Sequence, residues 1–218
     1  YTCIPGGKGC NVARAVKALG HAATAMVIVG GPPGQHVVQM IEQEDALPCV
    51  PCWVAGMTRT ITTVLETSIH RQTAFFEPGP AVTPAERRQL VETFRQAVAG
   101  ASVVTLNGTV PDPSLRDLYA ELIPLAKAEG AITILDTHGE ELRHGLAAAP
   151  DMIKPNREEA AQYLGHPLDS DGALADAMDT FHARGVRLVV ISLGEDGLAV
   201  SRDGRRLRAR ASRTDGCS

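Results

Sequence analysis

The sequence predicts an α/β fold built on a mostly parallel sheet. Short apolar runs alternate with helix-like segments along most of the chain, at the spacing that is typical of strand–helix–strand units. Hydrophobic residues make up 44% of the 218 residues but aromatic residues only 4%, so an aliphatic core is expected. Parallel sheets of this kind are covered by helices on both faces and bind ligands beyond the carboxyl ends of their strands.

The first part of the chain predicts a helix, two strands separated by a helix, and a hairpin. Gly20 follows an apolar periodic segment and is placed to end the first helix. Segments rich in Thr, Ile and Val favour paired strands. In order, the predicted elements are helix 12–19, strand 22–29, loop 30–34, helix 35–44, strand 49–54, and a hairpin of strands 58–68 and 70–77.

The rest of the chain alternates more regularly. Thr83, Pro84 and Glu86 form a capping-box sequence with proline at the first helical position. The predicted elements are helix 84–99, strand 101–106, helix 114–129, strands 131–135 and 152–154, helices 156–164 and 172–184, and strands 187–192 and 198–201. The arginine-rich residues 205–210 are interpreted as a solvent-exposed strand face.

Charge and motif content exclude several function classes. A net charge of −4 and an isoelectric point near 6.0 give no general field for nucleic acid. No apolar run reaches membrane-spanning length and no signal-peptide pattern opens the chain, so we expect a cytoplasmic protein without a membrane partner. Neither a G-x-S-x-G elbow nor an H-E-x-x-H motif is present.

Five cysteines are scattered along the chain, and Cys49 and Cys52 form a C-x-x-C sequence. A zinc site would need a second pair of ligands, and a redox dithiol usually opens a helix, whereas this pair lies in a strand-like stretch. We therefore interpret both cysteines as ordinary structural residues.

A glycine-rich loop precedes the first helix. Gly6, Gly7 and Gly9 flank Lys8, and such a loop exposes unpaired N–H groups that suit an anion or a sugar hydroxyl. An ordinary glycine-rich turn is the alternative. The loop is not a Walker A motif, because Lys8 is followed by glycine rather than by serine or threonine.

Polar residues follow four successive predicted strands. They are Asn107-Gly108-Thr109, Asp136-Thr137-His138, Lys154-Pro155-Asn156 and Ser192-Leu193-Gly194. Because the carboxyl ends of parallel strands meet at one edge of a sheet, we expect these segments to form one polar rim.

Three further positions each allow two interpretations. Asn156 and Glu159 have the spacing of a capping box, and they equally suit a site for Mg²⁺ and phosphate. Lys154 could be a point charge for phosphate or a structural partner. Arg59 could clamp a substrate phosphate or be a solvated residue at a sheet edge.

Together and in this order, these motifs resemble the PfkB branch of the ribokinase-like sugar kinases, and within it the phosphosugar subgroup. The similarity runs from Gly6 to about Gly216. The matching segments are GGKGCNVAR at 6–14, EPGP at 77–80, NGTVP at 107–111, LDTHGE at 135–140, KPNREE at 154–159 and SLGEDG at 192–197. The resemblance implies a three-layer α/β/α fold with a small β lid over residues 55–77.

The resemblance also implies roles for individual residues, with ATP and Mg²⁺ as cofactors. Those implied to bind the sugar phosphate are Gly6, Gly7, Lys8, Asn11, Arg59 and Thr109. Those implied to bind the nucleotide are Lys154, Asn156, Ser192 and Gly194. Glu159 would act on Mg²⁺ indirectly, through phosphates or water.

The implied activity is ATP-dependent phosphorylation of a ketohexose phosphate, as in conversion of fructose 1-phosphate to fructose 1,6-bisphosphate. Tagatose 6-phosphate and fructose 6-phosphate are alternative substrates, and a non-catalytic relative that binds nucleotide or sugar is an alternative function. Because lid strands often pair between subunits in this family, a homodimer is also expected.

Two departures from the family pattern concern the ends of the sequence. The strand and lid hairpin that usually precede the glycine motif are missing, because the sequence begins at Tyr1. The Thr214-Asp215-Gly216-Cys217 segment resembles the start of the family's G-x-G-D motif, whose catalytic aspartate would fall just past Ser218. We therefore expect a single incomplete kinase domain over residues 1–218, truncated at both ends and weakly active or inactive, with no catalytic base of its own.

Overall fold

The computed structural model describes residues 2–69 and 71–210, so the Thr214-Asp215-Gly216-Cys217 segment lies outside the described residues. The chain divides into two compact units. The first comprises Tyr1–Ala97 and Val110–Leu115, and the second comprises Val98–Thr109 and Arg116–Ser218. The expectation of one kinase domain stays a prediction.

Within the part of the first unit that the structure describes, there are three α-helices and two pairs of strands. In chain order its elements are α1 (Lys8–Ala18), β1 (Ala25–Val29), α2 (Gly31–Gln39), a π-helical turn (Met40–Glu44), β2 (Cys49–Trp53), β3 (Ile61–Glu66), β4 (Arg71–Phe76), α3 (Pro84–Ala97) and a short 3₁₀ turn (Pro113–Leu115). Strands β1 and β2 pair in parallel, whereas β3 and β4 form the predicted antiparallel hairpin.

A small aliphatic cluster holds the start of this unit together. Cys10 and Ala13 of α1 pack with Ala25 of β1, Ile41 and Leu47, all of them buried. Apolar residues on one face of α1 thus bind the helix to the first strand, which fixes the glycine loop at its N-terminus.

The glycine–proline run at residues 30–34 is a correction to the sequence-based prediction. It was expected to be a loop, but α2 already begins at Gly31, with proline in its first turn. Proline is tolerated there because the first N–H groups of a helix have no intrahelical partner.

The capping box of α3 forms as predicted. The Thr83 N–H donates to the Glu86 carboxylate at 2.7 Å, and the Glu86 N–H donates to the Thr83 hydroxyl at 3.3 Å. These reciprocal bonds satisfy two donors that the helix itself leaves unpaired.

The described residues of the second unit, which end at residue 210, form a sheet of six strands and four α-helices. Its elements are β5 (Val103–Asn107), α4 (Leu118–Ala128), β6 (Ile132–Asp136), α5 (Gly139–Leu146), β7 (Met152–Ile153), α6 (Arg157–Leu164), α7 (Asp171–Ala183), β8 (Leu188–Ser192), a 3₁₀ turn (Gly194–Asp196), β9 (Leu198–Arg202) and β10 (Arg205–Ala209). The strand order is β10-β9-β8-β7-β6-β5. Strands β5 to β8 are parallel, and β9 and β10 are antiparallel additions.

The predicted parallel core is confirmed, with two differences. Leu135, Ile153 and Val189, which pair in register across β6, β7 and β8, are fully buried. Val103 is 49% exposed, however, because β5 is an edge strand of this sheet and not the buried strand that its composition indicated. Helix α5 was not predicted, although its acidic first turn and basic last turn are typical helix-end signals.

No helix in the described part of the chain has both the length and the apolar character that crossing a bilayer requires.

Candidate functional site

The four predicted polar segments lie side by side in the second unit. Asn107 pairs with Asp136 at the ends of β5 and β6, and Asn156 forms a bridge with Ser192. The Lys154 N–H donates to the Leu135 carbonyl at 3.1 Å, which joins the middle pair of strand ends. The predicted polar rim therefore exists at the carboxyl edge of β5, β6, β7 and β8.

Asn156 and Glu159 form a complete capping box at the start of α6. The Glu159 N–H donates to the Asn156 side-chain oxygen at 2.8 Å, and the Asn156 N–H donates to the Glu159 carboxylate, also at 2.8 Å. The capping interpretation is thus confirmed by geometry. A binding role for the same residues stays a prediction, and the two roles are compatible because both side chains are only partly buried.

A concave site of about 410 Å³ opens beside this helix terminus. Its lining residues are Asn156, Arg157, Glu158, Ser192, Leu193, Gly194 and Gly197. Of the four residues predicted to bind nucleotide, Asn156, Ser192 and Gly194 line it. Unpaired N–H groups and the partial positive charge of the α6 N-terminus make the site suited to an anion.

Arg157 is a lining residue that the sequence-based reasoning missed. Its guanidinium lies 3.1 Å from the Asp196 carboxylate, which joins the first residue of α6 to the 3₁₀ turn at Gly194–Asp196. A signal was available, since Arg157 directly follows Asn156 at a helix start where arginine is not the favoured charge.

Lys154 lies outside that lining and is paired. Its ammonium is 3.1 Å from the Asp136 carboxylate, and the Asp136 side chain is only 10% exposed. The arrangement favours the structural alternative for Lys154, because the pairing compensates the charge of a carboxylate that is almost buried. A phosphate contact remains a prediction.

The two carboxylate oxygens of Glu159 have different neighbours. Oε2 accepts the capping hydrogen bond from the Asn156 N–H, and Oε1 lies 3.5 Å from Nδ1 of His138, a residue of the polar rim. The described residues contain no group of three or more acidic, histidine or cysteine side chains arranged to hold a metal ion. Carboxylate oxygens suit Mg²⁺, which usually keeps several waters, and an indirect role of Glu159 toward this metal stays a prediction.

The loop that follows β5 is held in place by hydrogen bonds from Tyr119, a second residue that the sequence-based reasoning missed. The Tyr119 hydroxyl lies 3.1 Å from the Asn107 carbonyl oxygen and 3.0 Å from that of Gly108. Burial raises the pKa of Tyr119, so the hydroxyl stays protonated and donates. Thr109 follows this loop and is exposed.

The glycine loop and α1 lie in the first unit. Gly7 is the residue before the helix and has φ of 100°, a conformation that favours glycine. Gly6, Gly7, Lys8 and Asn11 are all exposed there.

Arg14 holds the glycine loop in place through hydrogen bonds. Its guanidinium donates to the Pro5 carbonyl at 3.1 Å and to the Asp45 carboxylate at 2.8 Å, and it also donates to the Asn11 side-chain oxygen. A guanidinium can only donate, so the Asn11 oxygen must face it. The Asn11 amide NH₂ group is left to donate elsewhere, beside the exposed glycine loop.

Arg59 lies in the loop between β2 and β3 and is exposed. Arg59 is exposed to solvent, as the second interpretation expected. It does not lie at a sheet edge, however, because residues 54–60 precede the hairpin. A phosphate role for Arg59 stays a prediction.

Cys49 and Cys52 lie in β2, as predicted from their strand-like surroundings. They are three residues apart on a strand, so their side chains point to opposite faces. Burial raises the pKa of each thiol to about 11, the opposite of what a redox-active dithiol requires.

Comparison with known proteins identifies the family. Residues 1–214 match the pfkB family carbohydrate kinases. The chain belongs to this family. It is 36% identical over 204 residues to a 1-phosphofructokinase of Xanthomonas campestris pv. campestris, which covers 91% of this chain and 64% of that relative. The chain thus spans less than two thirds of the length of that pfkB relative.

Solved structures of phosphofructokinases have the same fold. Phosphofructokinase-2 of Escherichia coli in complex with fructose-6-phosphate superposes with a TM-score of 0.84 at 28% identity, over 98% of this chain and 70% of that one. The tetrameric inhibited form of the same enzyme gives 0.86 at 28% identity, over 94% and 67%. The ribokinase-like fold of this pfkB chain is therefore shown.

Proposed function

We propose that the chain transfers a phosphoryl group from ATP to a ketohexose phosphate, with fructose 1-phosphate as the preferred acceptor and fructose 1,6-bisphosphate as the product. The observation that carries the proposal is the polar rim, where four parallel strands and the capped start of α6 meet beside a concave anion site. The identity to a 1-phosphofructokinase favours fructose 1-phosphate over the alternatives.

In this proposal the nucleotide phosphates bind at the concave site of the second unit. Asn156, Ser192 and Gly194 contact the phosphates, and the amide groups at the start of α6 add a partial positive charge. When bound, Mg²⁺ neutralises charge on the phosphates. Glu159 orients the metal's water or phosphate ligands through its carboxylate, which the capping bond to Asn156 holds in place.

In this proposal the sugar phosphate binds to residues of the first unit, and the substrate role expected for Thr109 stays a prediction. Lys8 and Arg59 supply positive charge, and the Gly6–Gly7 loop and the Asn11 amide supply N–H donors. A donor-rich set of this kind suits phosphate oxygens and sugar hydroxyls, which are acceptors.

The reaction exchanges one phosphorus–oxygen bond for another. A bond forms between the sugar hydroxyl oxygen and the γ-phosphorus of ATP, and the bond from that phosphorus to the bridging oxygen breaks to release ADP. A base must take the hydroxyl proton, and we assign this role to no residue in the described part of the chain.

The phosphate role of Arg59 is tested by replacing it. Arg59→Ala should raise the Kd of fructose 1-phosphate by about 10- to 100-fold, as expected for a lost charge-assisted hydrogen bond, and leave the Kd of fructose nearly unchanged. Binding is measured by calorimetry for the wild type, for Arg59→Lys and for a control variant. The control is Arg205→Ala, which replaces an exposed arginine of β10. Equal weakening for sugar and phosphosugar would contradict the proposal.

A turnover assay separates the kinase from a non-catalytic relative. ADP release is followed with fructose 1-phosphate, fructose 6-phosphate and tagatose 6-phosphate in turn, in the presence of ATP and Mg²⁺. Binding of ATP and phosphosugar without ADP release would instead favour a binding protein. The rank order of the three sugars decides which ketohexose phosphate is used.

The homodimer is part of the same proposal, with the β3–β4 hairpin as its contact. One face of the hairpin carries Ile61, Leu65 and Phe76, which are 42%, 64% and 68% exposed. Exposed apolar side chains that share one face mark interaction surfaces, and phosphofructokinase-2 of Escherichia coli has a tetrameric inhibited form. Sedimentation equilibrium should show a dimer that Phe76→Ser dissociates. A monomer for both the wild type and the variant would refute the homodimer.

We also propose a cytoplasmic location for the protein.

A further inference from the structure

The loop that carries Arg59 is tied to the start of α2 through Thr58. The Gly30 N–H donates to the Thr58 hydroxyl at 2.9 Å, and the Thr58 N–H donates to the Gly30 carbonyl at 2.9 Å. Gly30 is the residue that immediately precedes α2. The residue next to Arg59 is therefore fixed by both its backbone and its side chain.

Close backbone packing reinforces this attachment. A Cβ atom on Gly30 would lie 1.9 Å from the Gly56 carbonyl oxygen and 2.4 Å from that of Val54. A Cβ atom on Gly34 would lie 2.9 Å from the Thr58 hydroxyl oxygen. The glycines of the 30–34 run thus provide the space in which residues 54–58 lie against the helix start.

A second attachment holds the other side of the loop. The Ala55 N–H donates to one oxygen of Glu86 at 2.6 Å, while the other oxygen of that carboxylate caps α3 through Thr83. Hydrogen bonds from the Thr83 side chain, then from the backbone of Thr83 and Ala55, hold the pKa of Glu86 below its usual value. The carboxylate is therefore an ionised acceptor at neutral pH.

We propose that Thr58 is a positioning residue that sets the preference of this chain for a phosphorylated sugar, by fixing the backbone from which Arg59 reaches the phosphate. The inference rests on the proposed function, in which Arg59 binds that phosphate. An arginine on a loop that is already ordered loses less conformational freedom when it binds than one on a free loop. Thr58 itself touches neither sugar nor nucleotide in this scheme.

Calorimetry with Thr58→Val tests the inference, because valine keeps the branched shape and removes the hydroxyl. We expect the Kd of fructose 1-phosphate to rise by about threefold to tenfold, the effect of one lost hydrogen bond, with the Kd of fructose unchanged. Thr58→Ser should restore tight binding. Thr60→Val is the matched control, since the Thr60 hydroxyl has no partner among the described residues, and its N–H donates to Glu77.

A double-mutant cycle distinguishes positioning from general damage. In an Arg59→Ala background, Thr58→Val should cause no further loss of fructose 1-phosphate binding, because Thr58 acts only through Arg59. Should Thr58→Val fail to fold, Glu86→Gln weakens the second attachment and takes its place in the cycle.

The outcomes separate the two proposals. If Arg59→Ala weakens fructose 1-phosphate binding and Thr58→Val does not, or if the two losses add fully, the positioning role is refuted and the proposed function stands. If Arg59→Ala has no effect, both are refuted.

Discussion

Replacing Asn156 separates its capping role from its proposed binding role. Asn156→Ala removes the side-chain oxygen that accepts the Glu159 N–H at 2.8 Å, so that donor at the start of α6 loses its partner. Asn156→Asp keeps an oxygen at the same position and adds a negative charge. The two variants therefore change stability and nucleotide binding in different combinations.

The stability effect follows from the capping bond. Loss of an N-cap side chain costs about 1 kcal/mol, within a range of about 0.5–2 kcal/mol. For a chain of this length, that cost lowers the midpoint of thermal unfolding by about 2–4 °C. Asn156→Asp should unfold at the wild-type midpoint or slightly above it, since aspartate caps as well as asparagine does and its charge is favourable at a helix N-terminus.

For the aspartate variant we expect weaker nucleotide binding, although its stability is kept. A carboxylate about 4 Å from a phosphate costs between about 1 and about 4 kcal/mol in surroundings between bulk water and a protein surface. We therefore expect Asn156→Asp to weaken ADP binding at least about fivefold while keeping full stability. The assay is calorimetry with ADP and a chelator, so that no divalent ion bridges the two anions, combined with thermal unfolding of each variant.

Two results would refute this reasoning. Wild-type affinity for ADP in Asn156→Asp would mean that the side chain at position 156 does not face the phosphates. An unchanged unfolding midpoint in Asn156→Ala would mean that the capping bond contributes nothing to stability.

Two further predictions follow from shifted pKa values. Cys49 and Cys52, with pKa values of about 11, should react with iodoacetamide far more slowly at about pH 8 in the folded chain than in urea, and equal rates would contradict their burial. Burial alone would raise the pKa of Asp151, but hydrogen bonds from Thr133 and the charges of Lys127 and Arg187 together outweigh it and hold the value below the usual 3.8. The Asp151 carboxylate therefore contributes stability above about pH 3.8 that is lost as pH falls through its lower folded-state value. Urea unfolding should show Asp151→Asn less stable than wild type near pH 6, and a gap that does not narrow toward pH 3 would refute this.

Sequence patterns that span only a few residues predicted much of the fold. The capping boxes at Thr83 and Asn156 depend on side chains only three residues apart, and both formed as the sequence indicated. The alternation of strands and helices gave the parallel sheet, because each element buries one periodic apolar face. From that sheet the polar rim followed, since parallel strands bring their carboxyl ends to one edge.

Other features depended on residues that are distant along the chain. The 30–34 run resembles a loop in composition, and its partner Thr58 is 28 residues from Gly30. Lys154 is open to two interpretations from the sequence, and only the structure shows its ammonium 3.1 Å from the Asp136 carboxylate. Likewise only the structure shows that the Tyr119 hydroxyl donates to the carbonyls of Asn107 and Gly108, which lie 12 and 11 residues away along the chain.

The sequence by itself determined the family, the order of helices and strands, and the chemical types available at the strand ends. Only the tertiary structure decided which of these groups contact one another. The physical reason is that helix periodicity and capping act over three or four residues, whereas hydrogen bonds and ion pairs between distant segments depend on the packing that brings them together.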